Sequence, residues 1–158
     1  MINARQRERV EKMVKQASTE GAQTVVGGGR PASLPNGYFY EPTVVTGVAP
    51  EAELFQQEIF GPVLPIATFA DMDEAIAIAN STRYGLSAYV WTRDLHAALR
   101  TAERLEFGMV GVNEWFPQGT EVPFPGWKES GIGNESGAEG LNEYLEPKVI
   151  SLGGFHSE

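Results

Sequence analysis

The stretch Glu58-Ile59-Phe60-Gly61-Pro62-Val63 leads into an apolar run, residues 63–69, whose composition predicts a buried strand. Gly61 permits close approach of other atoms to the backbone, and Pro62 fixes φ where the chain enters the strand. Glu58 and Phe60 are therefore expected at a rigid corner. A carboxylate beside an aromatic ring suits a ligand with hydroxyl groups and a flat ring. The alternative is that the stretch only forms the start of a strand, with Glu58 in solvent and Phe60 in the core. These six residues alone favour that alternative.

The composition narrows the classes of function. The chain has 158 residues with 42% hydrophobic and 21% charged residues, as in ordinary globular proteins. A net charge of -9 disfavours nucleic acid as a partner. No apolar run reaches the roughly 18 residues of a membrane span and no targeting signal is seen, so we expect a cytoplasmic protein without a membrane partner. Cysteine is absent, and His96 and His156 lie far apart in sequence. We therefore predict no cysteine nucleophile, no Ser-His-Asp triad and no metal site in this chain.

A helix followed by a hairpin is predicted for the N-terminal part. Asn3 is a suitable helix cap, Gly21 a suitable stop, and the apolar positions repeat with helical spacing at Val10, Met13, Val14 and Ala17. Residues 24–26 and 38–45 are expected to pair as strands. The glycines at 27–29 could bind phosphate only if a helix followed at once. Turn residues follow instead, so we interpret these glycines as the hairpin loop.

Strands and helices alternate after the corner. Strands are predicted at residues 63–69, 86–91 and 109–113, with helices that begin at Asp71 and Asp94, the second running to about residue 106. Short connections between such elements imply right-handed crossovers and a parallel sheet with helices on both faces, a three-layer α/β/α fold. Ligands of such sheets tend to bind beyond the carboxyl ends of the strands.

The segment 114–134 is long and rich in aromatic, proline and glycine residues. It follows the carboxyl end of a predicted strand, which favours a pocket wall, whereas aromatic side chains that plug a core under a long loop are the alternative. A short helix capped by Ser136 and Glu139 is expected next, with Leu141 and Tyr144 on its apolar face, and then a last strand at residues 149–152.

Four motifs in register carry a family resemblance. They are Glu58-Ile59-Phe60-Gly61-Pro62, Tyr84-Gly85-Leu86, Val112-Asn113, and the run from Pro123 to Gly133, P-F-P-G-W-K-E-S-G-I-G. In this order and spacing the chain resembles the C-terminal part of an NAD(P)-dependent aldehyde dehydrogenase, from Ile2 to Leu152. The expected fold class is therefore α/β, a parallel-sheet part of that family's three-layer catalytic domain.

The resemblance implies roles for six residues. Glu58 would bind the hydroxyls of the nicotinamide ribose, and Phe60 and Leu86 would lie near the nicotinamide ring. The aldehyde pocket would be lined by Trp115, Phe116 and Phe124. The last strand would pair with a neighbouring subunit, which implies a homo-oligomer. The chain departs from the family pattern at three positions, Gln57, Pro125 and Asn134.

The resemblance also implies what the chain lacks. The nucleophilic cysteine, the general base and the cofactor-binding fold of the family would lie upstream, so residues 1–158 are expected to form a single partial domain. The complete enzyme would oxidise an aldehyde to a carboxylic acid with NAD or NADP, whereas this chain alone would be inactive and bind cofactor weakly or not at all. A non-catalytic interaction or oligomerisation module of the same descent is the alternative. An unrelated nucleotide-binding domain is disfavoured, because no glycine-rich turn joins a strand to a helix.

Overall fold

The computed structural model describes residues 1–154, whose contacts divide into two compact units, Met1–Thr82 and a second that begins at Arg83. No helix in this described part is both long and apolar enough to cross a lipid bilayer. The first unit contains α1 (Ala4–Thr19), β1 (Gln23–Val26), β2 (Thr43–Thr46), α2 (Glu53–Gln56), β3 (Val63–Ile66) and α3 (Met72–Asn80). The second contains β4 (Tyr84–Gly85), β5 (Ser87–Val90), α4 (Leu95–Arg104), β6 (Met109–Val112), β7 (Phe124–Pro125), β8 (Trp127–Lys128), β9 (Asn134–Glu135) and α5 (Gly137–Asn142).

Helix α1 forms as its sequence predicts. The Asn3 side chain accepts a hydrogen bond from the Gln6 N–H at 2.9 Å, which caps the first turn. All four residues of the predicted stripe are buried, and Gly21 follows the helix with φ +105°. The stripe packs in one core with buried residues of the following segments, among them Val45 and Leu54. Burial of this face, rather than helix propensity, therefore holds α1 in place.

The first unit contains a three-stranded sheet of order β1-β2-β3. β1 and β2 are antiparallel, which confirms the predicted hairpin, whereas β3 runs parallel to β2 with Thr43 opposite Val63 and Thr46 opposite Ile66. The returning strand begins at Thr43 and not at residue 38, because Glu41 bonds to Gly29 inside the connection and Pro42 has no N–H to donate.

The outer face of this sheet is apolar and exposed. Val26, Val44 and Leu64 lie opposite one another in a row across the three strands. Val26 is 55% and Leu64 58% exposed, whereas Val45, on the opposite face, is fully buried. The prediction of a buried strand at residues 63–69 is thus wrong for the described residues, since Leu64 and Ile66 are exposed. The strand also ends at Ile66 rather than at residue 69.

In the second unit, β5, α4 and β6 form the predicted strand–helix–strand crossover. β5 and β6 are parallel, with Ser87 opposite Met109, and Asp94 caps α4 by accepting from the N–H groups of His96 and Ala97. The helix ends at Arg104, slightly before the predicted end. The expectation that the strand at residues 63–69 shares a sheet with these two is not met within residues 1–154, where β3 pairs with β2 and belongs to the sheet β1-β2-β3.

The C-terminal segment departs most from expectation. Ser136 makes no capping hydrogen bond because its φ of +59° lies outside the extended conformation of a helix cap. Leu141 and Tyr144 are exposed instead of packed. The predicted strand at residues 149–152 is not formed within the described residues, since no other strand pairs with it there. His156 lies outside the described residues.

The long hairpin connection is tied to α1 by charged side chains. Arg30 donates two hydrogen bonds to the carboxylate of Glu11, at 2.5 and 2.7 Å. Arg7 donates to the Gly37 carbonyl at 2.7 Å. The hydrogen bond from Arg30 is the main cause that holds the pKa of Glu11 below its usual value of 4.5. The connection is therefore fastened by a bidentate ion pair in place of strand pairing.

This ion pair predicts a pH-dependent stability. A carboxyl whose folded-state pKa is lowered stabilises the fold above its unfolded-state pKa, and this contribution is lost as the pH falls through the folded-state pKa. We expect Arg30→Ala to lower the urea midpoint at pH 7 and to have no effect well below pH ~4. Arg5→Ala is the matched control, an exposed arginine without a hydrogen bond in the described residues. Equal losses at both pH values would contradict the prediction.

Candidate functional site

The corner, residues 58–62, is formed between α2 and β3 as the sequence indicates. Phe60 has φ +52°, a left-handed conformation that is uncommon for an aromatic residue. Phe60 is 76% exposed, and Glu58 is exposed as well. The interpretation of Phe60 as a core residue is therefore wrong. The corner instead presents a carboxylate and an aromatic ring outward from a fixed backbone.

Gly61 and Pro62 fix this backbone from two sides. A Cβ on Gly61 would lie 2.9 Å from a methyl carbon of Val10, which is itself fully buried in α1. The Pro62 carbonyl accepts from the Thr43 N–H at 2.8 Å, which joins the corner to β2. The expected close approach at Gly61 is thus a contact with α1, and any side chain there would require the Val10 side chain to shift.

The second unit brings two other predicted site residues together. Leu86 and Phe124 line one cavity of about 150 Å³, although 38 positions separate them in the chain. The remaining lining residues are mostly small or polar: Gly126, Ser130, Gly131, Ile132, Gly133, Asn134 and Glu135. The cavity therefore combines the apolar side chains of Leu86, Phe124 and Ile132 with glycines and polar groups, a combination that suits a small ligand.

Two short strand pairs build this cavity. β4 pairs with β8, with Gly85 opposite Trp127, and β7 pairs with β9, with Phe124 opposite Glu135. The Gly85 N–H also donates to the Ser130 hydroxyl at 2.9 Å. Segment 114–134 is therefore not wholly irregular, because it contains β7 and β8.

Two ion pairs flank the pairing of β4 with β8. Lys128 lies 3.0 Å from Glu106, and Arg83 lies 3.3 Å from Glu129. A hydrogen bond to the Tyr84 hydroxyl, helped by the charge of Glu129, raises the pKa of Arg83. These contacts hold the Arg83 cation beside the first strand of the cavity.

Trp115 and Phe116 lie outside the lining of this cavity. They contact each other, with ring centroids 5.5 Å apart and planes tilted by 53°. Both are exposed, and both of their N–H groups bond to the carboxylate of Glu114, at 2.8 and 2.9 Å. Their assignment to an aldehyde pocket stays a prediction.

Some structural contacts around the candidate site had no clear sequence signal. Asn113, with φ +52°, accepts from the Thr92 N–H and donates to the Thr92 carbonyl, which joins the ends of β5 and β6. Asn134 bonds to the Glu143 carboxylate through its backbone and side-chain N–H groups, at 3.1 and 3.2 Å. At this departure from the family pattern, a neutral amide therefore bonds to a carboxylate within the second unit.

Solved structures identify the class of protein. Lactaldehyde dehydrogenase from Escherichia coli aligns with a TM-score of 0.89 and 38% identity over 96% of this chain. Betaine aldehyde dehydrogenase from Staphylococcus aureus, solved in complex with NAD+, aligns with a TM-score of 0.85 and 38% identity over 95%. The chain covers 31% and 32% of these two proteins. Its mixed α/β fold is therefore that of part of a dehydrogenase catalytic domain.

The chain belongs to the aldehyde dehydrogenase family, whose model matches residues 1–150. It is 44% identical to 3,6-anhydro-alpha-L-galactose dehydrogenase of Streptomyces coelicolor and 43% identical to betaine aldehyde dehydrogenase of Bacillus subtilis, over 95% of its length in both cases. It spans 31% of each relative. The sequence is therefore a family fragment relative to these enzymes, and the family inferred from the four motifs is confirmed.

The packing of Gly85 predicts a sensitive position. A Cβ there would lie 2.7 Å from the Glu106 carbonyl oxygen, a backbone atom that cannot move aside. We expect Gly85→Ala to lower the free energy of unfolding by about 1–3 kcal/mol and to displace Leu86 from the cavity. Gly153→Ala is the control, since nothing lies within 4 Å of its added methyl group. Urea unfolding and a crystal structure measure the two effects, and equal stability of both variants would contradict the prediction.

Proposed function

We propose that this chain is the C-terminal part of an NAD(P)-dependent aldehyde dehydrogenase and supplies contacts to its nicotinamide and aldehyde sites. The observation that carries the proposal is that Leu86 and Phe124, which the resemblance assigns to the nicotinamide and the aldehyde, line one cavity. The exposed Glu58 carboxylate and Phe60 ring at the corner add a second pair of suitable groups.

These residues fit a nicotinamide nucleotide by their chemistry. An ionised carboxylate has only acceptor oxygens, so Glu58 is suited to accept hydrogen bonds from the two hydroxyls of a ribose. The Phe60 and Leu86 side chains offer apolar surface to a flat ring. When bound, NAD(P) supplies a hydride acceptor for aldehyde oxidation. In this proposal Glu58 orients the ribose, and Leu86 and Phe124 exclude water around the reacting carbon.

The covalent step has no nucleophile in this chain, which contains no cysteine. In the complete enzyme a thiolate supplied by the upstream part would attack the aldehyde, and the adduct would become a thioester by loss of a hydride to the bound NAD(P). Water would then release the acid and free the thiolate. From the resemblance we also propose that the complete domain has three-layer packing, that it uses NAD or NADP, and that the protein is cytoplasmic.

A chimaera tests the role of Glu58. This chain would replace the matching segment of the Bacillus subtilis betaine aldehyde dehydrogenase, and Glu58→Gln would be introduced. Because hydrogen bonds to charged groups contribute about 1.5–3 kcal/mol, we expect kcat/KM for NAD to fall by about 10- to 100-fold with an unchanged melting temperature. Glu51→Gln, at another exposed glutamate of the same unit, should have no effect. Unchanged KM and kcat in the Glu58 variant would refute the assignment.

The chain alone is assayed beside the chimaera with NAD, NADP and a panel of aldehydes. We expect no aldehyde-dependent cofactor reduction, because nucleophile, base and most of the cofactor site would be missing. Turnover that survives a further purification step, and that falls in a Phe124→Ala variant, would overturn this part of the proposal.

Assembly through the C-terminal segment is the second proposed role. Val149, Ile150 and Leu152 are 93%, 71% and 76% exposed, and apolar side chains so exposed favour association. We expect the chain to self-associate by adding this segment to a strand of a second copy. Such assembly would also be the role of the chain if it acts as a non-catalytic oligomerisation module. Light scattering over a concentration series should show mass above the monomer, reduced by Ile150→Asp but not by Gly153→Ala. A monomer at every concentration would contradict the prediction.

A further inference from the structure

Two side chains of α1 donate hydrogen bonds to backbone carbonyl groups of the corner. Arg9 donates from Nη2 to the Glu58 carbonyl at 2.8 Å and from Nη1 to the Ile59 carbonyl at 3.2 Å. Gln6 donates from Nε2 to the Ile59 carbonyl at 3.0 Å and to the Phe60 carbonyl at 3.2 Å. Three consecutive carbonyl groups are thus bonded by two residues that lie one helical turn apart. We call Gln6 and Arg9 the α1 clamp.

We propose that the α1 clamp positions Glu58 and Phe60 for the nicotinamide nucleotide. Its consequence for cofactor binding rests on the proposed function. Neither clamp residue touches the ligand in this proposal; both act through the backbone of the corner.

The corner needs such support because its backbone is neither helical nor paired as a strand. Residues 57–62 lie between α2 and β3, so no regular ladder satisfies the carbonyls of Glu58, Ile59 and Phe60. Phe60 has φ +52°, and a non-glycine residue keeps this conformation only where its surroundings determine it. The Phe60 ring is largely exposed, so packing of that ring does not supply the constraint. The clamp bonds do.

The choice of acceptor also favours a positioning role. Arg9 bonds to the backbone of Glu58 and not to its carboxylate, which makes no hydrogen bond or ion pair within residues 1–154. An arginine that captured the carboxylate would occupy the oxygens that a ribose needs. In the observed arrangement the guanidinium orders the backbone while the carboxylate keeps its acceptor sites.

The clamp is itself held in place. Val10, next to Arg9, is fully buried, and the Asn3 cap fixes the first turn through the Gln6 N–H. The close contact of Val10 with Gly61 sets the spacing between α1 and the corner. Gln6 and Arg9 therefore project from a rigid support across a fixed distance, so their loss changes the corner rather than the helix.

The first test measures the corner in the full 158-residue chain without ligand. Three-bond couplings and Cα and Cβ chemical shifts of Phe60 report its φ. We expect the double variant Gln6→Ala/Arg9→Ala to shift Phe60 toward negative φ and the control Arg5→Ala to leave it unchanged. An unchanged left-handed Phe60 in the double variant would overturn the proposal.

The second test measures cofactor use in the chimaera described above. We expect Arg9→Ala to raise KM for NAD by about three- to tenfold, the size expected from one or two lost hydrogen bonds, with an unchanged melting temperature. Arg9→Lys, which keeps one charged donor, should restore part of the loss, and Arg5→Ala should behave as the parent.

The outcomes separate the two proposals. If Glu58→Gln raises KM and Arg9→Ala does not, the positioning role is refuted while the proposed function stands. If neither variant changes KM, the proposed function fails, and the φ of Phe60 in the free chain still decides whether the clamp sets the corner. A fall in melting temperature for Arg9→Ala without rescue by Arg9→Lys would assign Arg9 to stability alone and overturn the proposal.

Discussion

The contact between Val10 and Gly61 is the constraint on which the first unit depends. Val10 is fully buried, and a single added methyl group at Gly61 would lie 2.9 Å from it. Because interiors are close-packed, this spacing sets how near α1 lies to the entrance of β3, and hence where β3 meets β2. It also brings the donors of Gln6 and Arg9 within hydrogen-bond distance of the corner. One apolar contact therefore governs both the core and the polar clamp beside it.

Local features of this fold could be predicted from the sequence, because they are interactions between residues a few positions apart. Asn3, Asp71 and Asp94 cap their helices as expected, and the stripe of α1 is buried as its spacing indicates. Strand partners could not be predicted in the same way. The apolar run that contains β3 fits equally well beside β2 or in a sheet with β5, since an apolar pattern does not name the neighbouring strand.

In the candidate site, too, the features that depend on local motifs could be predicted and those that depend on distant contacts could not. The motifs around Leu86 and Phe124 contain glycines that permit close strand pairing, and those pairs bring both side chains to one cavity. Gln6 and Arg9 have no such sequence signal. A polar or charged residue on a helix face looks the same in the sequence whether it bonds a distant carbonyl or is simply solvated. Their role depends on contacts about 50 positions away, which spacing alone does not reveal.

Exposure of Phe60 shows that a residue can keep an ordered backbone conformation without being buried. A residue that is 76% exposed gains little from burial, so the hydrophobic effect does not maintain the left-handed backbone of Phe60. Hydrogen bonds from α1 to consecutive carbonyls do not require the ring to be covered. By contrast, the outer face of the sheet, with Leu64 and Val26, is apolar and has no such support. The corner is therefore determined within the first unit itself, whereas the uncovered sheet face gains stability only from whatever packs on it.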